Sequence, residues 1–158
     1  MSSPVSAPVL IRPLTGTVSH AVAWAYRHLG ERSRHQRFLG AKPACDLERL
    51  SDVDHWHHEA LIAFSPHPRK PIGVAEYVRL ERFDRAELAV AVVDEWQRRG
   101  VGKALLGALR ARAMAAGVRQ FTAFTLRGNR GAMRLAGELG QLEVTGAADG
   151  VARLLLVL

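Results

Sequence analysis

The stretch DEWQRRGVGKALL, residues 94–106, constrains the fold more than any other part of the chain. It follows directly on AELAVAVV, residues 86–93, a short apolar and β-branched run that reads as a strand. It leads into residues 101–116, whose apolar positions repeat at helical spacing. A strand that passes through a two-glycine loop into a helix leaves several backbone N–H groups unpaired at the helix N-terminus, where the macrodipole favours an anion. Gly100 and Gly102 remove side chains that would hold a ligand away from the backbone, and Arg98, Arg99 and Lys103 add positive charge. The spacing is neither GxxxxGK[ST] nor GxGxxG, so the cradle is not one of the two common nucleotide loops.

The remaining patterns surround that loop with an α+β or mixed α/β order. Residues 9–14 (VLIRPL) read as a first strand, and 17–29 as a helix with Val18, Val22, Ala25, Tyr26 and Leu29 on one face. A second helical region is expected from Ser33 through His58, broken near Gly40 and Pro43. ALIAFS, PIGVAEYVRL and AELAVAVV form an expected meander joined by the turn-rich SPHPRKP and by ERFDR. QFTAFTL is a further strand, GAMRLAGELG a helix ending at Gly140, and VARLLLVL the last strand. The strands are apolar enough on both faces to predict that neither face is open to water.

At 158 residues the expectation is one domain over 9–158, preceded by a flexible N-terminal tail, residues 1–8 (MSSPVSAP). That tail lacks the basic start and apolar core of a signal peptide, and no run approaches the roughly 18 apolar residues of a membrane span. Cys45 is the single cysteine. These features predict a cytoplasmic protein with no membrane partner. The formal net charge of +7 points to a polyanionic partner: nucleic acid, an acidic protein or a phosphate-rich cofactor. A composition rich in Ala, Arg, Gly, Leu and Val yields the same excess as a solvated surface. Outside 94–106 no basic run is interleaved with aromatics, so nucleic acid is not the expected partner.

Gln97-Arg98-Arg99-Gly100-Val101-Gly102 resembles the Q/R-x-x-G-x-G/A motif of the GNAT superfamily of acyl-CoA-dependent N-acyltransferases, and it falls between the fourth strand and the third helix, as in that family. The resemblance implies the GNAT fold, a mixed central sheet of six to seven strands with helices on both faces. It implies that the loop amides from Gln97 to Ala104, Lys103 included, hold the pyrophosphate of acetyl-CoA, and that Val92, Val93 and Asp94 pair with pantetheine along a splayed strand. Asn129 matches the family's coenzyme A-contacting asparagine, with Ala132 and Gly140 as the small residues after it; read from the sequence alone, Asn129 is equally a helix N-cap. From about Gly30 onward, ERSRHQRFLG, LERLSDVDHWHHEALIAF, GVAEYVRL and AELAVAVVDEWQRRGVG resemble the catalytic domain of bacterial protein lysine acetyltransferases that are often fused to a cyclic-nucleotide-binding domain. The catalytic fold takes up this chain, so control by cyclic AMP is not expected. The resembling family usually has arginine where this chain has Glu76, a change that bears on substrate charge, and many GNAT enzymes have a tyrosine acid at the position of Ala136.

Amine acylation needs a base, because an ammonium with a pKa of about 10.4 cannot attack a thioester before losing a proton. Glu87 interrupts an otherwise apolar strand and matches the family's glutamate, which makes it the expected base. A backbone N–H near Val92 or Val93 is expected to stabilise the oxyanion, and Tyr77, Tyr26 or solvent to protonate the leaving thiolate. The run VDHWHH offers Asp54, His55 and His58 at helical spacing, but no fourth ligand with familiar spacing appears. No metal is expected. Its resemblance-based reading is a substrate groove formed by Asp54, His55, His58, Glu76 and Tyr77.

The function expected is transfer of an acetyl group from acetyl-CoA to a primary amine, with a protein lysine as acceptor. The alternatives are a small-molecule amine acetyltransferase and a non-catalytic acyl-CoA-binding or nucleic-acid-associated module. Monomer and homodimer are both compatible with the sequence.

Overall fold

The computed structural model describes residues 8–15, 19–38 and 53–158. Seven strands form one sheet in the order β1-β2-β3-β4-β5-β7-β6: β1 (Leu10–Pro13), β2 (His58–Phe64), β3 (Pro71–Arg79), β4 (Arg85–Val92), β5 (Gln120–Leu126), β6 (Gln141–Ala148) and β7 (Val151–Val157). All neighbours are antiparallel except β4 and β5. The described helices are α1 (Ser19–Arg27), α2 (Glu31–Phe38), α3 (Val101–Ala115) and α4 (Arg130–Leu139). This is the mixed α/β arrangement expected of a GNAT fold.

Alternation along the strands divides the core into two layers. One face of the sheet packs Tyr77, Phe121, Leu154 and Leu156 against Val101, Leu105, Leu109 and Ala113, which recur every four residues along α3. The other face packs Ala60, Ile62 and Val74 against Val22, Ala25, Tyr26 and Leu29, the apolar stripe of α1. Fully burying a leucine such as Leu105 stabilises by about 1.5–3 kcal/mol, so these stripes fix which way each helix faces.

Three expectations change. Strand β6 was not expected, because its side chains are nearly all exposed and only Leu142 and Val144 alternate as apolar positions before Gly146. The helical reading through His58 does not hold at its C-terminal end. There Asp54 Oδ1 accepts from the amides of Trp56 (2.9 Å), His57 (2.8 Å) and His58 (3.0 Å), closing a turn after which β2 begins. Both faces of the sheet were expected to be covered, yet among the described residues part of the β5–β7 half is open on the α1 side, with Phe124 44% and Val157 40% exposed. Residues 1–7 of the expected tail, Val18, Gly40, Pro43 and Cys45 lie outside the described residues.

Candidate active site

Strands β4 and β5 pair over only three residues, from Arg85↔Gln120 to Glu87↔Thr122. Both continue beyond that point, β4 to Val92 and β5 to Leu126, so a gap opens between them just past Glu87. The Val93 N–H donates to Ile72 O at 2.8 Å, which sets the phase of the β3–β4 ladder. Alternation then turns the N–H and C=O groups of Val90 and Val92 toward the gap. Gln97 Nε2 donates to Val92 O at 3.0 Å, as that phase requires. Of the two strand amides expected near the oxyanion, Val93 is therefore spent within the sheet and Val92 faces the gap. Val90 joins it, a position that the alternation of β4 reveals only once its pairing to β3 is known.

At the wide end of the gap a 3-10 turn, Asp94–Trp96, leads into the glycine loop. Arg98 (φ 59°) and Gly100 (φ 84°) are left-handed, a conformation that glycine adopts freely and arginine does not. The loop is anchored from its start: Gln97 Nε2 also donates to Ser33 Oγ at 2.8 Å, and Asp94 Oδ1 accepts from the Gly30 N–H at 3.1 Å. The side chains of Gln97 and Asp94 thus tie the loop to β4 and α2. Gly100 is the N-cap of α3 and supplies no side-chain cap. Ala104 N–H closes the first helical bond on Gly100 O (3.0 Å), which leaves Val101, Gly102 and Lys103 as the first-turn amides ahead of it. Gly102 serves close packing, since a Cβ there would stand 3.0 Å from Leu135 Cδ2 and 3.7 Å from Val92 Cγ2. Val101 turns its side chain into the core. Arg98 and Arg99 are exposed, Arg99 lying 5.1 Å over the Trp96 ring, while Lys103 Nζ stands 3.6 Å from Glu138 Oε2. Asn129 is the N-cap of α4, its Oδ1 accepting from Ala132 N–H at 3.1 Å.

Glu87 is half-buried at the apex of the gap. On its face of the sheet, register places His58, Val78, Glu87, Thr122 and Leu155 in one row, with Glu76 two residues along β3 from Val78. His58 Nε2 and Glu76 Oε2 are 2.7 Å apart, and both side chains are buried. Of the expected substrate-groove residues, these two share the face of Glu87, but as a pair sealed from solvent.

The other three are corrections. Tyr77 lies on the opposite face, in the core with its ring 5.7 Å from Phe121, and burial raises its phenol above the ordinary value of 10.0. Asp54 is occupied by its own turn, where the His58 and Trp56 amides and the His57 ring hold its carboxyl well below the usual carboxylate range. His55 Nδ1 bonds Glu59 Oε1 at 2.7 Å, and the other oxygen of that buried carboxylate accepts from Arg112 Nε at 2.9 Å. Glu59 is in register with Tyr77, so His55 also serves the far face. Tyr26 is on the nearer face but is buried in the α1 layer, and Ala136 is buried in α4, where it offers no hydroxyl. Among the described residues no group of three His, Cys, Asp or Glu side chains could hold a metal ion.

The family model of GNAT acetyltransferases matches residues 21–141. The chain belongs to this family. The chain is 31% identical over 134 residues to Acetyltransferase Pat of Mycolicibacterium smegmatis, an alignment covering 84% of this chain and 38% of Pat. It thus spans well under half the length of that relative. Its structure is similar to the GNAT domain of S. lividans PAT, with a TM-score of 0.83, 25% identity and 100% of both chains covered. A putative acetyltransferase from Salmonella typhimurium, solved with its cofactor acetyl-CoA, shares the fold with a TM-score of 0.74 at 20% identity over 95% of this chain and 94% of that one. Acetyl-CoA is the cosubstrate of the family, and the gap-facing amides with the uncapped start of α3 fit such a ligand: a strand edge for its amide-bearing arm and a helix N-terminus for its phosphates. No described helix is long and apolar enough to cross a membrane.

Proposed function

We propose that this chain transfers the acetyl group of acetyl-CoA to a primary amine, with a protein lysine as the acceptor. The observation that carries the reading is the parting of β4 and β5 immediately past Glu87, which puts a half-buried carboxylate at the closed end of a gap lined by backbone amides. When bound, acetyl-CoA supplies an activated thioester. The amides of Val101, Gly102 and Lys103, with Arg98 and Arg99 beside them, hold its pyrophosphate; the gap-facing backbone of Val90 and Val92 orients its pantetheine arm, and one of those N–H groups faces the acyl oxygen, where negative charge develops. Glu87, directly or through one water, removes a proton from the ammonium so that the nitrogen lone pair can attack the acyl carbon. The new C–N bond forms, the C–S bond breaks, and the nitrogen releases its second proton to solvent. With Tyr77 on the other face, Tyr26 buried in the α1 layer and no hydroxyl at Ala136, the sulfur takes its proton from solvent.

The open β5–β7 surface beside Glu87 supports a macromolecular acceptor, because a site for small amines is ordinarily enclosed. A binding module without turnover is the second reading, favoured by Ala136. Thiol release from acetyl-CoA, followed with a panel of small amines, lysine peptides and proteins, separates the readings. Release that requires an amine, with acetyl-lysine in the product, supports transfer to lysine; binding of acetyl-CoA without release to any acceptor would establish the module.

A further inference from the structure

On β5 and β7, which form the open part of the acceptor face, one side chain is charged. Phe124 of β5 and Arg153 of β7 are register partners, and the guanidinium of Arg153 lies 5.5 Å from the centre of the exposed Phe124 ring. Both are on the face of Glu87, since Glu87 is in register with Thr122, Thr122 with Leu155, and Phe124 and Arg153 are two residues along from these. Among the described residues Arg112, Arg82 and Lys103 each have a carboxylate within ion-pair distance; Arg153 has none. Glu143, on the same face opposite Leu155, makes no ion pair with Arg153. A guanidinium held by an aromatic ring, with its fork unsatisfied, loses little rotamer freedom on meeting a ligand carboxylate.

Distance makes this arrangement part of the acceptor site. Two residues along a strand and two strand spacings across place the Arg153 and Glu87 backbones about 12 Å apart, and an extended peptide covers that in roughly three to four residues. The two side chains shorten the span further. Resting on the reading that the acceptor is a lysine presented in a polypeptide, we infer that Arg153, braced on Phe124, selects acceptor lysines that have an acidic residue within a few positions. The carboxylate takes the bidentate arrangement that guanidinium favours, while a second lysine at the same place is repelled. Glu76, whose charge departs from the resembling family, does not carry this selection: it is 2% exposed and bonded to His58.

The test uses three peptides with one reactive lysine set among alanines, among aspartates, or among N-dimethylated lysines that keep their charge. Thiol release and acetyl-peptide mass give kcat/KM for wild type, Arg153→Ala and Arg153→Glu, and calorimetric binding of acetyl-CoA reports that each variant is folded. Wild type is expected to prefer the aspartate peptide over the alanine peptide by about tenfold, a preference that shrinks with salt. Arg153→Ala should erase it, and Arg153→Glu should turn it toward the cationic peptide. Equal rates on all three peptides, or an acidic preference that survives in Arg153→Glu, overturn the inference and leave lysine transfer standing. Absence of transfer from wild type to any peptide removes the lysine reading and this inference with it.

Discussion

One face of one sheet behaves in two ways. Over β2 and β3 it is covered, and its two ionisable side chains, His58 and Glu76, are bonded to each other at 2.7 Å out of reach of solvent. Over β5 and β7 it is open, and the charged group there, Arg153, is exposed with a ring beneath it and no ionic partner among the described residues. Glu87 stands on the boundary, two residues from the last covered position of β4's neighbour and at the point where β4 and β5 part. Exposure decides what each carboxylate can do: Glu76 is structural because burial requires a fixed partner, and Glu87 is chemically available because the gap keeps one side of it accessible.

The largest effect that can break this contrast is at Glu87. Glu87→Gln preserves size and hydrogen bonding but accepts no proton at neutral pH, so turnover should fall by roughly 10² to 10⁴ with acetyl-CoA affinity unchanged. Next comes the covered half. Glu76→Ala leaves His58 Nε2 buried without this partner and should cost about 1–3 kcal/mol in urea unfolding, whereas Arg153→Ala should stay within about 0.5 kcal/mol of wild type. Similar losses for both would mean that the two halves are not different in kind. A smaller effect is expected at the cradle: replacing Arg98 and Arg99 together by alanine should raise the KM for acetyl-CoA a few-fold, and the rise should fade as salt increases. An effect indifferent to salt would assign these arginines to packing instead. The smallest effect concerns Asp54, whose pKa is depressed in the folded state. Its stabilisation is complete above the unfolded value of about 3.9 and is lost as pH falls below it toward the folded one. Asp54→Asn should therefore unfold with a shallower acid dependence than wild type below about pH 4, by a modest amount because the carboxylate is largely exposed and screened.

How much of this was legible in the sequence follows from what each residue signals locally. The segment from β4 through α3 was readable because a β-branched apolar run, two glycines and a four-residue apolar repeat are each unambiguous at short range. The Asp54 turn was not, since residues spaced three and four apart satisfy a helix and an aspartate-centred turn equally well. Strand β6 gave only a weak signal, since its apolar alternation is limited to Leu142 and Val144. The hardest information was which face a residue takes: Glu76 and Tyr77 are adjacent, and a single step of register sends one toward Glu87 and the other into the α3 core. The same register, set by pairing between β5 and β7, brings Phe124 to Arg153, a partnership no local pattern announces.

Whether Glu87 receives the proton of the acceptor ammonium is tested by the ratio of wild-type to Glu87→Gln turnover from about pH 6.5 to 9.5 under saturating acetyl-CoA. As pH approaches the amine's own pKa of about 10.4, more acceptor arrives already deprotonated and needs the base less. The expected result is a large ratio at pH 6.5 that narrows steadily toward pH 9.5. A ratio near one at pH 6.5 would show that Glu87 is only a carboxylate at the end of a strand pairing, and that the proton leaves by another route.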